Sequence, residues 1–474
     1  MADSADGAPD LYAQTKDAER EPPRSLGRAL LKIGPGMILA GSIVGTGELI
    51  MTTHLGATVG FGLLWLVLFS CFIKVFVQIE LGRHAVSSGE TTLDSLSRMP
   101  VIGGAFLWWW LMMMLSTQAQ LSAMVGGVGQ AAHMLFPGVS TSLAESFGSE
   151  FIKARPEAPW GVLAAIATSI ILAIGSYKII EVGTLVMVVG FTLTTVTCLA
   201  FLPAGAITGA DMKEGLSLRV PEGATMAAFA VFGITGCGAA ELIAYPYWCI
   251  EKGYGRYIGA KTDSPEWLAR AKGWVRVMNL DAWSCMLVYT VATLAFYTLG
   301  ASILHAESKG KGLPQGIGAM LEMLSLMYVP MLGEVIARWF IIIGAFAVLY
   351  STLFSATAAN SRAAADFLQL KGFVTRNGAS RQRWITGLCI AFPLMDLVLY
   401  LFVGNPLMLV MIGAIGQALT LPMIAITALY LRFKRSDERL RPAAWWDFFL
   451  LISTVTFFIA ACYTLYDTYQ KVSK

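Results

Sequence analysis

Two glutamates lie in the middle of apolar, glycine-rich stretches and are followed by the same two residues. The stretches are Gly45-Thr46-Gly47-Glu48-Leu49-Ile50 and Gly238-Ala239-Ala240-Glu241-Leu242-Ile243. A carboxylate at membrane depth costs on the order of several kcal/mol, so it usually faces a cavity, a partner or a transported ion. Glycines before it let the backbone leave the helix and expose carbonyl oxygens. The pattern therefore indicates two broken helices that carry acids into a cation pathway.

Composition places these stretches in an all-α polytopic membrane protein. Hydrophobic residues make up 56% of the chain and charged residues 14%, and apolar runs recur at lengths near 20 residues, as a bilayer requires. The seven cysteines form no C-x-x-C pair, which predicts neither a disulfide framework nor a zinc site. The chain has no P-loop, and its four histidines lack metal-motif spacing. We therefore expect no enzyme activity and no cofactor.

Apolar periodicity predicts eleven spans behind a polar tail. The spans lie at about 31–55, 60–82, 104–136, 159–176, 179–204, 224–250, 280–304, 330–359, 384–404, 406–431 and 445–468. The predicted organisation is a disordered cytoplasmic tail at 1–28, a first repeat at 29–204, an outer loop at 205–223, a second repeat at 224–431, and an eleventh span with the C-terminal tail at 432–474. We expect a multi-pass protein of a bacterial-type inner membrane or a plasma membrane.

Charge distribution predicts the orientation. Lysine and arginine concentrate in the segments that are cytoplasmic when the N-terminus lies inside, which favours N-in and C-out. Spans one to five then form an odd-numbered block, so spans six to ten start from the opposite side of the membrane. The chain would thus contain two inverted five-helix repeats, whose first members carry Glu48 and Glu241.

A purely structural interpretation of the two glutamates also stays open. A similar string, Leu332-Gly333-Glu334-Val335-Ile336, occurs at the end of span eight, so the match alone can arise by chance. The case for function rests on depth, because Glu48 and Glu241 each lie about 17 residues into their spans and cannot easily reach water. The alternative is a structural hydrogen-bonding role.

Three other charged features need an account. Lys74 in span two either pairs with Glu80 or caps a polar cavity, and Asp396 lies within span nine. The basic inner loop 251–281 contains two tryptophans and is expected to be an interfacial helix beside anionic lipid rather than a nucleic-acid site.

Four motifs resemble the Nramp divalent-metal transporters. They are Ile33-Gly34-Pro35-Gly36 before span one, Gln78-Ile79-Glu80-Leu81-Gly82-Arg83-His84 leading to Ser88-Gly89, Tyr177-Lys178-Ile179-Ile180-Glu181 at span five, and the stretch 350–368 in span eight. The resemblance covers the whole membrane domain. It implies a LeuT-like fold with the metal held between unwound parts of spans one and six.

At the metal site the chain departs from the family it resembles. The family's Asp-Pro-Gly-Asn aligns with Gly45 to Glu48, so the aspartate is lost and the asparagine has become a carboxylate. Its Met-Pro-His aligns with Ala240 to Leu242, which removes the thioether and adds Glu241. In span three, Leu121 and Met124 stand where the family has acids associated with proton transfer, and neither can titrate.

These departures predict a harder site. Without the soft thioether, oxygen ligands favour Mg²⁺, Ca²⁺ or Mn²⁺, and we expect Mg²⁺ or Mn²⁺ to bind to the carboxylates of Glu48 and Glu241. The resemblance and the alignment with the family motifs also indicate other residues that line the site. They are Val44, Gly45, Thr46, Cys237, Gly238, Ala240, Gln417 and Thr420. The same two acids could instead bind an organic cation or an amino acid, or carry protons in turn, and a non-transporting receptor is a third possibility.

Overall fold

The regular structure of the chain is helical throughout the part that is described. A computed structural model describes residues 12, 14, 16–200, 202, 205–305 and 317–472. In a bilayer, an apolar run can satisfy its backbone hydrogen-bonding groups within its own helix, and the long apolar runs of this sequence do so.

The first five spans have the following bounds. Span one consists of Pro35–Ile43, the π-helical Val44–Thr52, and Thr53–Val59. Spans two to five are Leu64–Ser88, Gly103–Leu135, Ala158–Ala173 and Tyr177–Ala200. Short helices lie before, between and after them at Lys16–Ala18, Leu26–Leu30, Thr92–Ser97, Pro137–Phe147, Glu150–Ala154 and Gly209–Gly215.

Spans six to eleven have the following bounds. Span six consists of Thr225–Ile234 and Ala239–Lys252. Spans seven to eleven are Pro265–Leu299 with its π-helical extension Gly300–Leu304, Glu334–Leu370, Gly378–Val403, Pro406–Tyr430 with its extension Leu431–Arg435, and Trp445–Val472. The short helices are Tyr254–Ile258, Ile317–Ser325, Leu326–Tyr328, Val329–Leu332 and Glu438–Leu440. Each predicted span overlaps a helical part of the chain, although span seven begins at Pro265 rather than at 280 and span eight ends at Leu370 rather than at 359.

Not all spans are equally apolar. Within the described residues, seven helices are long and apolar enough to cross a membrane by length and composition, and they belong to spans two, five and seven to eleven. Span four has only 16 residues, and span three carries polar residues through its middle, from Ser116 to Ser122. Spans one and six are interrupted, which leaves no single long regular helix in either.

The packing of the spans has an internal two-fold pattern. Span one packs against spans five and seven, and span six packs against spans ten and two. Spans three and four pack together, as do spans eight and nine. Span three also packs against span ten, as span eight packs against span five. Each contact therefore recurs five spans later, as expected for two structurally equivalent halves.

Part of the N-terminal tail is ordered against the inner loop. The amide of Arg20 donates to the carbonyl of Tyr257 at 3.0 Å, and the Trp274 indole donates to the carbonyl of Arg20 at 2.8 Å. Residues 16–28 thus differ from the predicted disordered tail, because the inner loop supplies partners that the tail sequence does not reveal. Of residues 1–15, only Tyr12 and Gln14 are described.

The tryptophans of the inner loop pack inside the protein. Trp267 and Trp274 are buried, and Trp274 stacks on Tyr254 with ring centroids 5.7 Å apart. Both tryptophans lie in the long helix Pro265–Leu299, where they pack against protein. The interfacial position beside anionic lipid was predicted for the loop as a whole and stays a prediction.

Candidate functional site

Span six is broken in the middle of the protein. Its first half ends at Ile234 and its second half begins at Ala239. The intervening backbone includes Gly236 at φ +66, a left-handed conformation that glycine adopts without steric cost. The second half ends at Gly253, whose φ of +99 again suits glycine. The break predicted for span six is confirmed.

Span one differs from the prediction because it is widened rather than unwound. Residues Val44–Thr52 form a π-helix, in which each amide bonds five residues back and the backbone ladder stays internal. Gly45 in this π-helix allows close packing. A side chain added at Gly45 would lie 1.8 Å from the Thr352 hydroxyl in span eight. The same hydroxyl donates to the carbonyl of Ser42 at 3.1 Å.

Glu48 lies fully buried between spans one, six and seven. Its Oε1 accepts hydrogen bonds from the Gly236 amide at 3.1 Å and from the Thr293 hydroxyl at 2.8 Å. Its Oε2 has no hydrogen-bond partner among the described residues. A buried carboxylate oxygen without a partner is costly in a native structure. This atom is therefore the strongest candidate ligand for a cation.

Glu241 makes the reciprocal contact from span six to span one. It lies in the first turn of Ala239–Lys252, and its Oε1 accepts from the Ser42 hydroxyl at 3.3 Å. The position near a helix N-terminus favours a negative charge. Glu48 and Glu241 thus bring two acids to the contact between spans one and six. Carboxylate oxygens of this kind can hold a divalent cation.

Gln417 of span ten joins the same region. Its Oε1 accepts from the Ala240 amide at 3.1 Å, and its Nε2 donates to Gln120 Oε1 at 3.0 Å. The Gln417 side chain thereby caps the second half of span six, whose first N–H groups have no partner within their own helix. A side chain added at Gly238 would lie 2.4 Å from Gln417 Oε1 and 2.6 Å from Glu241 Oε2. Because Gly238 has no side chain, both polar groups have room beside it.

The other predicted lining residues are placed differently. Val44 and Cys237 are fully buried at the start of the π-helix and within the break. Thr420 donates to the carbonyl of Gly416 at 2.8 Å and accepts from the Trp109 indole at 3.2 Å, so it belongs to a contact between spans ten and three. The side chain of Thr46 lies outside the described residues.

The intramembrane charges also have defined partners. Lys74 contacts carbonyls of span six, whereas Glu80 forms its ion pair with Arg83. The predicted pairing of Lys74 with Glu80 was therefore wrong, because the ammonium binds backbone carbonyls of span six. The alternative, that Lys74 caps a polar cavity, stays a prediction. Asp396 is fully buried and accepts from the Ser122 hydroxyl at 3.5 Å. Its other oxygen has no partner within the described part of the chain.

Sequence reasoning missed several polar neighbours of the glutamates. Thr293, Ser42 and Gln120 all hydrogen-bond to site residues. Thr293 and Ser42 have apolar neighbours in sequence and Gln120 lies within the polar stretch from Ser116 to Ser122, and only the packing brings each of them to the site. A narrow cavity beside Glu241 is lined in part by Trp248 and Asn360. A useful signal was available for Ser42 alone, because it lies less than two turns before Glu48.

The ligand set available to a metal is small and consists of oxygen atoms. Among the residues that the structure describes, no group of three or more His, Cys, Asp or Glu side chains could hold a metal ion. Glu48 and Glu241 would have to act with hydroxyl, amide or backbone oxygens and with water. Mg²⁺ is commonly bound in this way, by one or two carboxylates while it keeps several waters.

Comparison with known proteins decides the family. A family model described as natural resistance-associated macrophage protein-like, Nramp, matches residues 36–467. The chain belongs to this family. Nramp proteins are transporters, so this Nramp-family protein is a multi-pass integral membrane transporter and not an enzyme. No curated protein matches it by sequence.

Solved structures share the fold of this Nramp-family protein. A mutant of the manganese transporter of Eremococcus coleocola is 13% identical, with a TM-score of 0.66 over 95% of this chain and 88% of that one. The same transporter with an aromatic bis-isothiourea substituted compound is 14% identical, with a TM-score of 0.64 over 94% and 89%. Mhp1, a nucleobase-cation-symport-1 family transporter, is 16% identical, with a TM-score of 0.52 over 91% and 90%. The predicted LeuT-like fold is confirmed.

Proposed function

We propose that this Nramp-family protein is a secondary transporter of a divalent metal cation, and that Mg²⁺ and Mn²⁺ fit its site best. The observation that carries the proposal is Glu48, which is fully buried at the break of span six and has one carboxylate oxygen without a partner. Glu241 supplies a second carboxylate at the same contact between spans one and six.

The kind of ligand supports a hard cation. Carboxylate, hydroxyl and amide oxygens suit Mg²⁺, Ca²⁺ and Mn²⁺, whereas thioethers and thiolates select softer metals. The segment from Gly238 to Leu242 contains no methionine and therefore offers no thioether. The sulfur atom of the break is the buried thiol of Cys237. The structural neighbour from Eremococcus coleocola is named a manganese transporter, which supports transport of a divalent metal by the present chain as well.

Alternating access would act on the contacts between spans one and six. Glu48 bonds to span six and Glu241 bonds to span one, so relative movement of the two spans changes the surroundings of both acids. The same carboxylates can take up protons when the metal leaves, which would couple transport to a proton gradient.

Uptake into reconstituted vesicles tests the proposal. Vesicles that contain the purified protein and a metal-sensitive dye are exposed to Mg²⁺, Mn²⁺ or Ca²⁺, with protein-free vesicles as the control. We expect saturable uptake of Mg²⁺ and Mn²⁺. Calorimetry with the same ions, with small amines and with amino acids runs in parallel. Heat from an amine or amino acid, without uptake of any metal, would overturn the proposal in favour of an organic-cation or amino-acid carrier. No uptake and no heat would overturn it in favour of a receptor.

A further inference from the structure

Lys74 in span two contacts the C-terminal end of the first half of span six. The lysine is fully buried, and its Nζ donates to the carbonyls of Phe232 and Thr235, the latter at 2.7 Å. Its Nζ also lies 4.8 Å from the centroid of the Phe232 ring. Carbonyls at a helix C-terminus lack partners within their own helix and form its negative end. The ammonium therefore occupies a position that suits a cation.

A second side chain of span two supports the same carbonyls. The Ser70 hydroxyl, one turn before Lys74, lies 3.4 Å from the Phe232 oxygen and 3.2 Å from the Thr235 oxygen. Oxygen atoms and an aromatic face that converge on one point are typical of a built cation site. The site lies beside the break, whose sharpest backbone turn is at Gly236.

The break is held from two directions by groups of opposite charge. Lys74 binds the carbonyl of Thr235, and Glu48 accepts from the amide of the next residue, Gly236. Removal of the ammonium would leave helix-end carbonyls unsatisfied at membrane depth, directly beside the amide that binds Glu48.

We propose that the break of span six contains a second cation site, which the chain fills with its own Lys74 ammonium. Lys74 is then a positioning residue. It fixes the carbonyl side of the break so that the Gly236 amide reaches Glu48, and it leaves the transported metal to the free oxygen of Glu48. The inference concerns the same site as the proposed function and rests on it for the transport measurement, but not for the labelling measurement described next.

Chemical rescue tests this role. Lys74→Ala retains the β-carbon and removes a segment equivalent to propylammonium. We expect metal uptake to fall at least tenfold. About 10 mM propylammonium, which is enough to fill a site of roughly millimolar affinity, should restore it to within threefold of the unmodified protein. The uncharged 1-propanol should not restore it. Lys74→Met fills the space without a charge and should lose uptake without rescue by either compound.

A second measurement needs no transported metal. In a full-length background whose other cysteines are replaced by alanine, Cys237 reports on the break, because its thiol is fully buried. We expect maleimide to label Cys237 at least fivefold faster in Lys74→Ala and Lys74→Met, and propylammonium to slow labelling only in Lys74→Ala. Failure of the metal-transport proposal would leave this result unchanged.

Two results would overturn the inference. One is metal uptake and Cys237 labelling in Lys74→Met at the rates of the unmodified protein. If Lys74→Ala aggregates, the result for Lys74→Met alone tests the inference. The other is labelling in Lys74→Ala that propylammonium slows no more than 1-propanol does, which would assign Lys74 a packing role without a cation site.

Discussion

Glu48 in span one accepts a hydrogen bond from the amide of Gly236 in the break of span six, at 3.1 Å. Its counterpart, Glu241 in span six, accepts from Ser42 in span one at 3.3 Å. Each acid therefore binds a residue shortly before the other acid. A rearrangement of span one against span six has to change both contacts, which places the two carboxylates where ion binding and conformational change can be coupled.

Gly238→Ala should disable the site without unfolding the protein. The backbone of Gly238 is extended at φ −72, so alanine is compatible with it. The added carbon would nevertheless lie 2.4 Å from Gln417 Oε1 and displace it. We expect metal uptake to fall at least tenfold with an unchanged gel-filtration profile. Gly387→Ala is the matched control, because no atom lies within 4 Å of its added carbon. Normal uptake by Gly238→Ala would show that Gln417 and Glu241 need not hold their present positions.

Ala240→Met should shift ion preference toward softer metals. Ala240 lines the cavity beside Glu241, and a thioether there favours Mn²⁺ over Mg²⁺. We expect the Mg²⁺ concentration that halves Mn²⁺ uptake to rise at least tenfold, as measured by competition in vesicles. Ala240→Leu has a similar volume and no sulfur, and it should leave this ratio within threefold of the unmodified protein. Equal shifts in both variants would assign the effect to volume and contradict the account.

Glu251→Gln should strongly destabilise the inner end of span six. Arg362 Nε lies 2.7 Å from Glu251 Oε1, and both side chains are at most 5% exposed. Removal of one partner leaves a buried, uncompensated charge, which costs about 3 kcal/mol or more. The thermal midpoint of the detergent-solubilised protein measures the loss. Glu150→Gln breaks a pair whose side chains are 53% and 84% exposed, and its midpoint should barely change. Similar midpoints in the two variants would contradict this assignment.

Asp437 should contribute stability that disappears only in acid. Hydrogen bonds from the Arg439 side chain, helped by the Arg439 amide and by Lys261, hold the pKa of this carboxyl well below its usual range, although partial burial opposes them. Because the folded-state pKa is depressed, the contribution is complete above the unfolded value of about 3.9 and is lost as the pH falls below it. Asp437→Asn should lower the thermal midpoint equally at pH 8 and pH 5. A difference that already shrinks between these two values would contradict the assignment.

Local sequence was sufficient to predict the spans. A membrane helix is specified by the length of its own apolar run, and so each predicted span overlaps a helical part of the chain. The break before Glu241 was predictable for a similar reason, since Gly236 permits a left-handed backbone that other residues disfavour.

Features that depend on packing were not predictable from local sequence. The glycines around Gly45 are compatible with an unwound segment and with a π-helix, and the structure contains the π-helix, in which Gly45 leaves room for Thr352. Similarly, Thr293 and Gln120 bind partners that lie far away in the chain. The sequence shows that Lys74 is at membrane depth, but only the fold shows that its partners are carbonyls of span six.

The most direct test of the two-carboxylate site is metal uptake by Glu48→Gln and Glu241→Gln. Each change preserves the size of the side chain and removes its charge. We predict that uptake of Mg²⁺ and Mn²⁺ into reconstituted vesicles falls at least tenfold in both variants, equivalent to about 1.4 kcal/mol or more. Glu334→Gln, at an exposed glutamate in a similar sequence string, should transport normally. Unchanged uptake in both Glu48→Gln and Glu241→Gln would contradict the central claim.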